Sequence, residues 1–125
     1  MSDKIRSYRD LRLYQNALAL QQEVFAVSRS FPKEERYALT DQLRRSSRSI
    51  GANLAEAWAK RRYPAHFTSK LSDVDAEQLE TDHWIRTAFA CQYLSETKFE
   101  SLTKQLQKIA RQLGSMITKS DRFTL

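Results

Sequence analysis

Glycine, proline and cysteine are nearly missing: 125 residues contain two Gly, two Pro and one Cys. So few glycines argue against an α/β or all-β fold, whose turns draw on residues that tolerate unusual backbone angles. A single cysteine excludes an internal disulfide framework, and Cys91 has no CxxC neighbour with which to hold zinc. No apolar run approaches the roughly 18 residues of a membrane span. The opening MSDKIRSYRD has no apolar stretch, so no signal peptide is expected and the expected location is cytoplasmic. GxSxG, Walker A and Rossmann fingerprints are absent, and two glycines could not build one. What remains is one all-α domain. A chain of this length buries about two-thirds of its unfolded surface and needs no covalent staple.

Three breaks divide the chain. Pro32 and Pro64 lack an N–H and disfavour helix in the residue before them. Leu94-Ser95-Glu96-Thr97 offers N-caps, and Thr97 to Glu100 fits the capping-box pattern. The expected helices therefore span about 10–30, 33–62, 65–93 and 96–118. A possible capping box, Ser7 to Asp10, precedes the first. Apolar residues recur at three and four: Leu13, Ala17, Leu20, Val24, Val27 in the first segment and Phe99, Leu102, Leu106, Ile109, Leu113, Met116 in the last. The second segment carries Leu39, Leu43, Ile50, Leu54, Ala57 and Trp58, with Ser46 and Ser47 filling a gap. Its first turn holds Glu34 and Glu35 and its last holds Arg61 and Arg62, an order that suits the helix dipole. The third has Phe67, Leu71, Val74, Ile85, Ala88 and Phe89, with Gln78 and Thr81 on the same stripe. Short connections predict an antiparallel up-down-up-down four-helix bundle. The tail from Ser120 to Leu125 reads as loose.

Charge is segregated. The net charge is +6. From Arg44 to Arg62 the chain places Arg44, Arg45, Arg48, Lys60, Arg61 and Arg62 against Glu56 alone. From Leu71 to Glu100 it places Asp73, Asp75, Glu77, Glu80, Asp82, Glu96 and Glu100 against Arg86 and Lys98. Two explanations stand. The basic segment pairs with the acidic one, within or between subunits, or it binds a polyanion. Exposure of the arginines discriminates them. Arg44 and Arg48 are i and i+4 and repel each other unless a phosphate, Glu77 or Glu80 sits nearby.

Segment two carries a longer pattern. Phe31-Pro32, Gln42-Leu43-Arg44-Arg45, Ser49-Ile50 and Asn53-Leu54-Ala55-Glu56 resemble the signature of the 23S rRNA intervening-sequence proteins. Tyr8 to Ala17, Ala76 to Thr81 and Tyr93 to Ser95 resemble further pieces of it, so the likeness covers nearly the whole chain. The resemblance implies a four-helix bundle assembling as a homopentamer. Some members are encoded inside insertions in 23S rRNA genes. A related protein, the accessory protein of diversity-generating retroelements, is a basic pentamer that binds nucleic acid and a reverse transcriptase. The implied partners are other copies of the chain, RNA or DNA, and a protein such as a reverse transcriptase. No catalytic residue and no cofactor are implied. One departure stands out: the family's Gly after Ala-Glu is Ala57, so the helix is expected to run on into Trp58.

Gln42, Ser49, Asn53 and Glu56 form a polar stripe beside the apolar one, and such residues need partners when packed. Hydrogen bonding across helices or subunits is the expected use, with ligand contact the alternative. Arg61 and His66 form an R-x4-H spacing that resembles HEPN ribonucleases, although Pro64 interrupts it. In such a site Arg would stabilise phosphate charge and His would move protons. His83, His66 and Cys91 do not supply a convincing metal set. Trp58, Phe67, Trp84, Phe89 and Phe99 read as core, and Tyr8, Tyr14, Tyr63 and Tyr93 are candidates for base stacking if exposed. The reading is a non-enzymatic, oligomeric bundle that binds nucleic acid through Arg44, Arg45, Arg48, Lys60, Arg61 and Arg62. A protein-interaction scaffold is the alternative, and a HEPN-like ribonuclease the third.

Overall fold

A computed structural model describes residues 4–125, so the reading of Met1-Ser2-Asp3 as part of a leaderless start lies outside the described residues. Four α-helices carry the chain: α1 Arg12–Ser28, α2 Asp41–Ala59, α3 Pro64–Ala90 and α4 Glu96–Thr118. No strand occurs among the described residues. α1 packs on α2 and α4, and α3 packs on α2 and α4. All four helices feed one core, in which Leu20, Leu43, Ile50, Phe67, Leu71, Ile85, Leu102 and Ile109 are fully buried. No helix is long and apolar enough to cross a membrane.

The first helix starts later than expected because the Ser7 capping box closes a separate 3-10 turn, Tyr8–Asp10. Ser7 Oγ accepts from the Arg9 amide and Asp10 accepts from the Ser7 amide. Leu11 is then extended, and α1 begins behind it. The second helix departs most. Its expected first turns are a 3-10 turn, Lys33–Glu35, followed by a π turn, Arg36–Thr40. Pro32 has no amide to give and is extended. Tyr93 Oη donates to Glu35 at 2.8 Å, tying this irregular start to the α3–α4 link. That bond pushes the Tyr93 phenol up to about 12. Leu39 and Thr40 turn into the core ahead of α2 proper.

α2 passes Ala57, as the missing glycine implied, and ends at Ala59 rather than Arg62. Tyr63, the residue before Pro64, is extended. Arg61 Nε takes the Trp58 carbonyl at 2.8 Å, an acceptor that a continuing helix would need for its own amides. Pro64 sits in the first turn of α3, where its missing N–H costs nothing. α3 ends at Ala90, short of the expected 93. Gln92 has φ 65°, a left-handed conformation that terminates the helix. The Tyr93 amide donates to Ala88 and the Gln92 amide to Phe89, the two bonds of a Schellman ending with Gln in the usual glycine position.

Ser95 caps α4 by accepting from the Lys98 amide at 3.1 Å, so the Thr97–Glu100 box lies inside the helix and is not the cap. Gly114 lies in the last turns of α4, with nothing near its missing Cβ. The tail is docked rather than loose. It forms a 3-10 turn, Ser120–Arg122, Phe123 meets Phe67 at 6.5 Å, and the Leu125 amide donates to the Arg61 carbonyl. Of the aromatics read as core, Phe67 is fully buried. Trp58, Trp84 and Phe99 are partly buried against the core, and Phe89 is exposed with one face stacked on Phe99.

The α2–α3 seam is polar at its heart. Ser46, Ser47, Gln78 and Thr81 are buried. Thr81 Oγ1 lies 3.0 Å from Ser46 Oγ and 2.8 Å from the Glu77 carbonyl. Small Ser46 and Ser47 let the helices approach, and no buried side-chain nitrogen or oxygen among the described residues lacks a partner. The α1–α4 seam is tied by Asn16 to Gln112 at 2.8 Å, and by Ser101 and Gln105 donating to Glu23.

Candidate nucleic-acid interface

The six basic residues expected to share one surface fall into two groups. Arg44, Arg45 and Arg48 lie on α2, while Lys60, Arg61 and Arg62 lie in the turn after it. At 1.5 Å per residue, Arg44 and Lys60 are about 24 Å apart along the axis. Lys60 and Arg62 are exposed. Arg61 is not extended toward solvent: its guanidinium lies 3.6 Å from the Trp58 ring centroid and donates to the Trp58 carbonyl.

The first group divides again. Arg45 reaches α3, where it contacts Glu77 at 3.4 Å and forms a closer pair with Glu80. The Glu80 hydrogen bond raises the Arg45 pKa above its ordinary value. Trp84 Nε1 donates to Glu80 at 3.0 Å, and this bond, with Arg45 behind it, holds the Glu80 carboxyl below the usual range. Arg45 is therefore a paired cation. Arg44 and Arg48 turn toward α1, where their guanidiniums lie 4.6 and 5.6 Å from the Phe25 ring centroid. Arg29 approaches the same ring at 5.7 Å. Arg44 Nε also donates to Ser28 Oγ at 2.8 Å. Among the described residues, ion pairs within 4.0 Å involve Arg45, Lys70 and Arg86, not Arg29, Lys33, Arg36, Arg44 or Arg48.

Beside Arg44 the chain forms an open groove of about 710 Å³ between the end of α1 and the irregular start of α2. Arg29, Lys33, Arg36, Tyr37, Asp41 and Arg44 line it. Arg29, Lys33, Arg36 and Tyr37 escaped the sequence reading. The signal was present: basic residues flank Pro32 on both sides, and a tight turn there folds them onto one corner. A second depression, of about 450 Å³, shares Asp41 and Arg44 with the groove and adds Arg45 and Arg48.

A family model for 23S rRNA-intervening sequence proteins matches residues 9–115. The chain belongs to that family. It is similar to a crystal structure from Bacteroides thetaiotaomicron VPI-5482, described as a protein of unknown function from the S23 ribosomal protein family. Identity is 25%, the TM-score is 0.76, and the match covers 85% of this chain and 95% of that one. A comparison with curated proteins finds no match.

The span matched to the 23S rRNA-intervening sequence proteins contains both basic groups and the polar stripe. Asn53 Oδ1 accepts from Lys70 of α3 at 2.8 Å, and Glu56 lies 3.5 Å from the same ammonium. Ser49 Oγ donates to the Arg45 carbonyl, and Asn53 Nδ2 to the Ser49 carbonyl. Gln42 is half-buried beside Leu43. The R-x4-H residues straddle the α2–α3 turn. Arg61 is occupied by Trp58, and exposed His66 sits 5.6 Å from Tyr63, centroid to centroid. No group of three His, Cys, Asp or Glu side chains among the described residues is placed to hold a metal.

Proposed function

We propose that this chain is a non-enzymatic, homo-oligomeric helical bundle that binds RNA or DNA through phosphates. The observation that carries the reading is the pair Arg44 and Arg48. Both lie against Phe25 with Arg29 close by, and no carboxylate among the described residues lies within ion-pair distance of them. Like charges crowded without a counter-ion cost stability, and a phosphate relieves that cost. Such contacts carry little sequence information, so the protein discriminates weakly between sequences. Lys60 and Arg62 offer further phosphate contacts at the far end of α2.

The antiparallel up-down-up-down order and a homopentamer belong to the same proposal. Helix order is supported by the α2–α3 contacts, where Arg45 meets Glu77 and Glu80 while Glu56 meets Lys70. A ring would repeat each basic patch and add avidity. One observation favours the second reading, a protein scaffold. Arg45 and Lys70 are spent on Glu77, Glu80, Glu56 and Asp73.

The test is fluorescence anisotropy of labelled RNA and duplex DNA across a salt series, with light scattering to count subunits. Log affinity should fall linearly with log salt. The double variant Arg44→Ala/Arg48→Ala should bind more weakly and lose about 0.7–0.9 of slope per contact removed. Arg45→Ala should leave the slope nearly unchanged. Absence of binding at low salt rejects the nucleic-acid reading in favour of the scaffold.

A further inference from the structure

The groove at the α1–α2 corner combines three features. It is recessed, with the end of α1 on one side and the 3-10 and π turns on the other. Four cations, Arg29, Lys33, Arg36 and Arg44, line it against one carboxylate, Asp41. An aromatic ring also stands in it: Tyr37 is 70% exposed, and Arg36 lies 5.3 Å from its centroid.

A tyrosine this exposed contributes little to the core and presents a ring face to any planar group. Its backbone is not loose, because it sits within the π turn whose Leu39 and Thr40 are buried. Cations that follow a phosphate chain, together with an aromatic that receives a base, are the combination used for single strands. A duplex keeps its bases stacked inside and has no face to offer Tyr37. The groove volume also falls within the range of about 300–1,000 Å³ typical of small-ligand sites, a size suited to one or two nucleotide units.

We propose that this groove binds unpaired nucleotides of single-stranded RNA or DNA. Backbone phosphates lie on Arg29, Lys33, Arg36 and Arg44, and one base stacks on Tyr37. The inference rests on the nucleic-acid reading above and adds to it the strandedness of the ligand and the residue that reads it. Asp41 sits among the cations and limits how many phosphates the groove accepts, since a phosphate beside it is repelled.

The experiment uses the full chain with single-stranded RNA and DNA 12-mers carrying 2-aminopurine, and with the matched duplexes, each compared at matched salt across a series that starts low. The single strand should bind more tightly than its duplex, and 2-aminopurine fluorescence should be quenched on binding. Tyr37→Ala should weaken single-strand binding by about five- to a hundredfold, the worth of one stacked base. It should relieve the quench and leave duplex binding and the salt slope unchanged. Tyr37→Phe, which keeps the ring, should bind as wild type. Arg36→Ala should lower the single-strand salt slope by about 0.7. Circular dichroism confirms that each variant is folded. If Tyr37→Ala binds the single strand as wild type does, or if the duplex is preferred, the groove proposal is overturned while nucleic-acid binding stands. If neither form binds at low salt, both readings fall together. Comparison of the RNA and DNA arms identifies the sugar the groove prefers.

Discussion

Arg44 and Arg45 are adjacent in sequence and have different surroundings. Arg45 faces α3 and is neutralised by Glu77 and Glu80. Arg44 faces α1 and rests on Phe25 and Ser28, with no carboxylate among the described residues within ion-pair distance. Successive residues of a helix are about 100° apart around its axis, so neighbours point to different flanks. The α3 flank uses its charges to hold the bundle together. The α1 flank supports its charges on an aromatic ring and leaves them without counter-ions. A count of arginines along α2 merges these two situations, and only the second supplies free positive charge for a ligand.

The contrast can be broken at its support. Phe25→Ala removes the ring beneath Arg29, Arg44 and Arg48. Phe25 is half-buried, so the expected cost is about 2 kcal/mol in urea unfolding, below the roughly 3–5 kcal/mol of a fully buried Phe. Nucleic-acid affinity should fall with it. On the other flank, Thr81→Val removes the hydroxyl that meets Ser46. Urea unfolding should show a loss of about 1 kcal/mol, with nucleic-acid affinity unchanged. Equal effects of both changes on binding would abolish the distinction between the flanks.

The smallest effect belongs to the ion pair. Glu80→Gln should cost less than about 1 kcal/mol at pH 7, because the pair is half-exposed. The Glu80 carboxyl is depressed in the folded state, chiefly by Trp84 and then by Arg45. Its contribution is therefore present above the ordinary carboxylate value and is lost as pH falls through the folded value. Urea melts of wild type and Glu80→Gln should converge on acidification and on raising salt. A difference that persists at low pH would mean that the side chain acts through packing rather than charge.

Much of the fold was legible in the apolar spacing. The stripe of α4 from Leu102 to Met116 is buried throughout, and Leu13, Ala17, Leu20 and Val24 are buried on α1. Pro64 and Ser95 marked their boundaries because each acts through its own backbone or side chain. The π turn was not legible, since Arg36 to Thr40 has ordinary helical composition and departs from α geometry only in its folded context. The tail was misread because its anchors, Phe67 and the Arg61 carbonyl, lie far away in sequence. The interface was half legible. Charge segregation pointed to α2, but which arginines are paired depends on rotation about the helix axis. The groove was missed because Pro32 separates its residues into two segments that only the folded corner rejoins.

Arg44 also carries a consequence for the entropy of binding. A free arginine gives up about 1.5–2 kcal/mol of rotamer freedom when it is fixed. The Ser28 bond and the Phe25 ring have already imposed most of that order during folding. A phosphate arriving at Arg44 meets a side chain with few conformations left to surrender, whereas Lys60 and Arg62 are exposed and must be ordered by the ligand itself. Arg44 at the corner of the bundle is thus already ordered, and the exposed cations at the far end of α2 are adaptable.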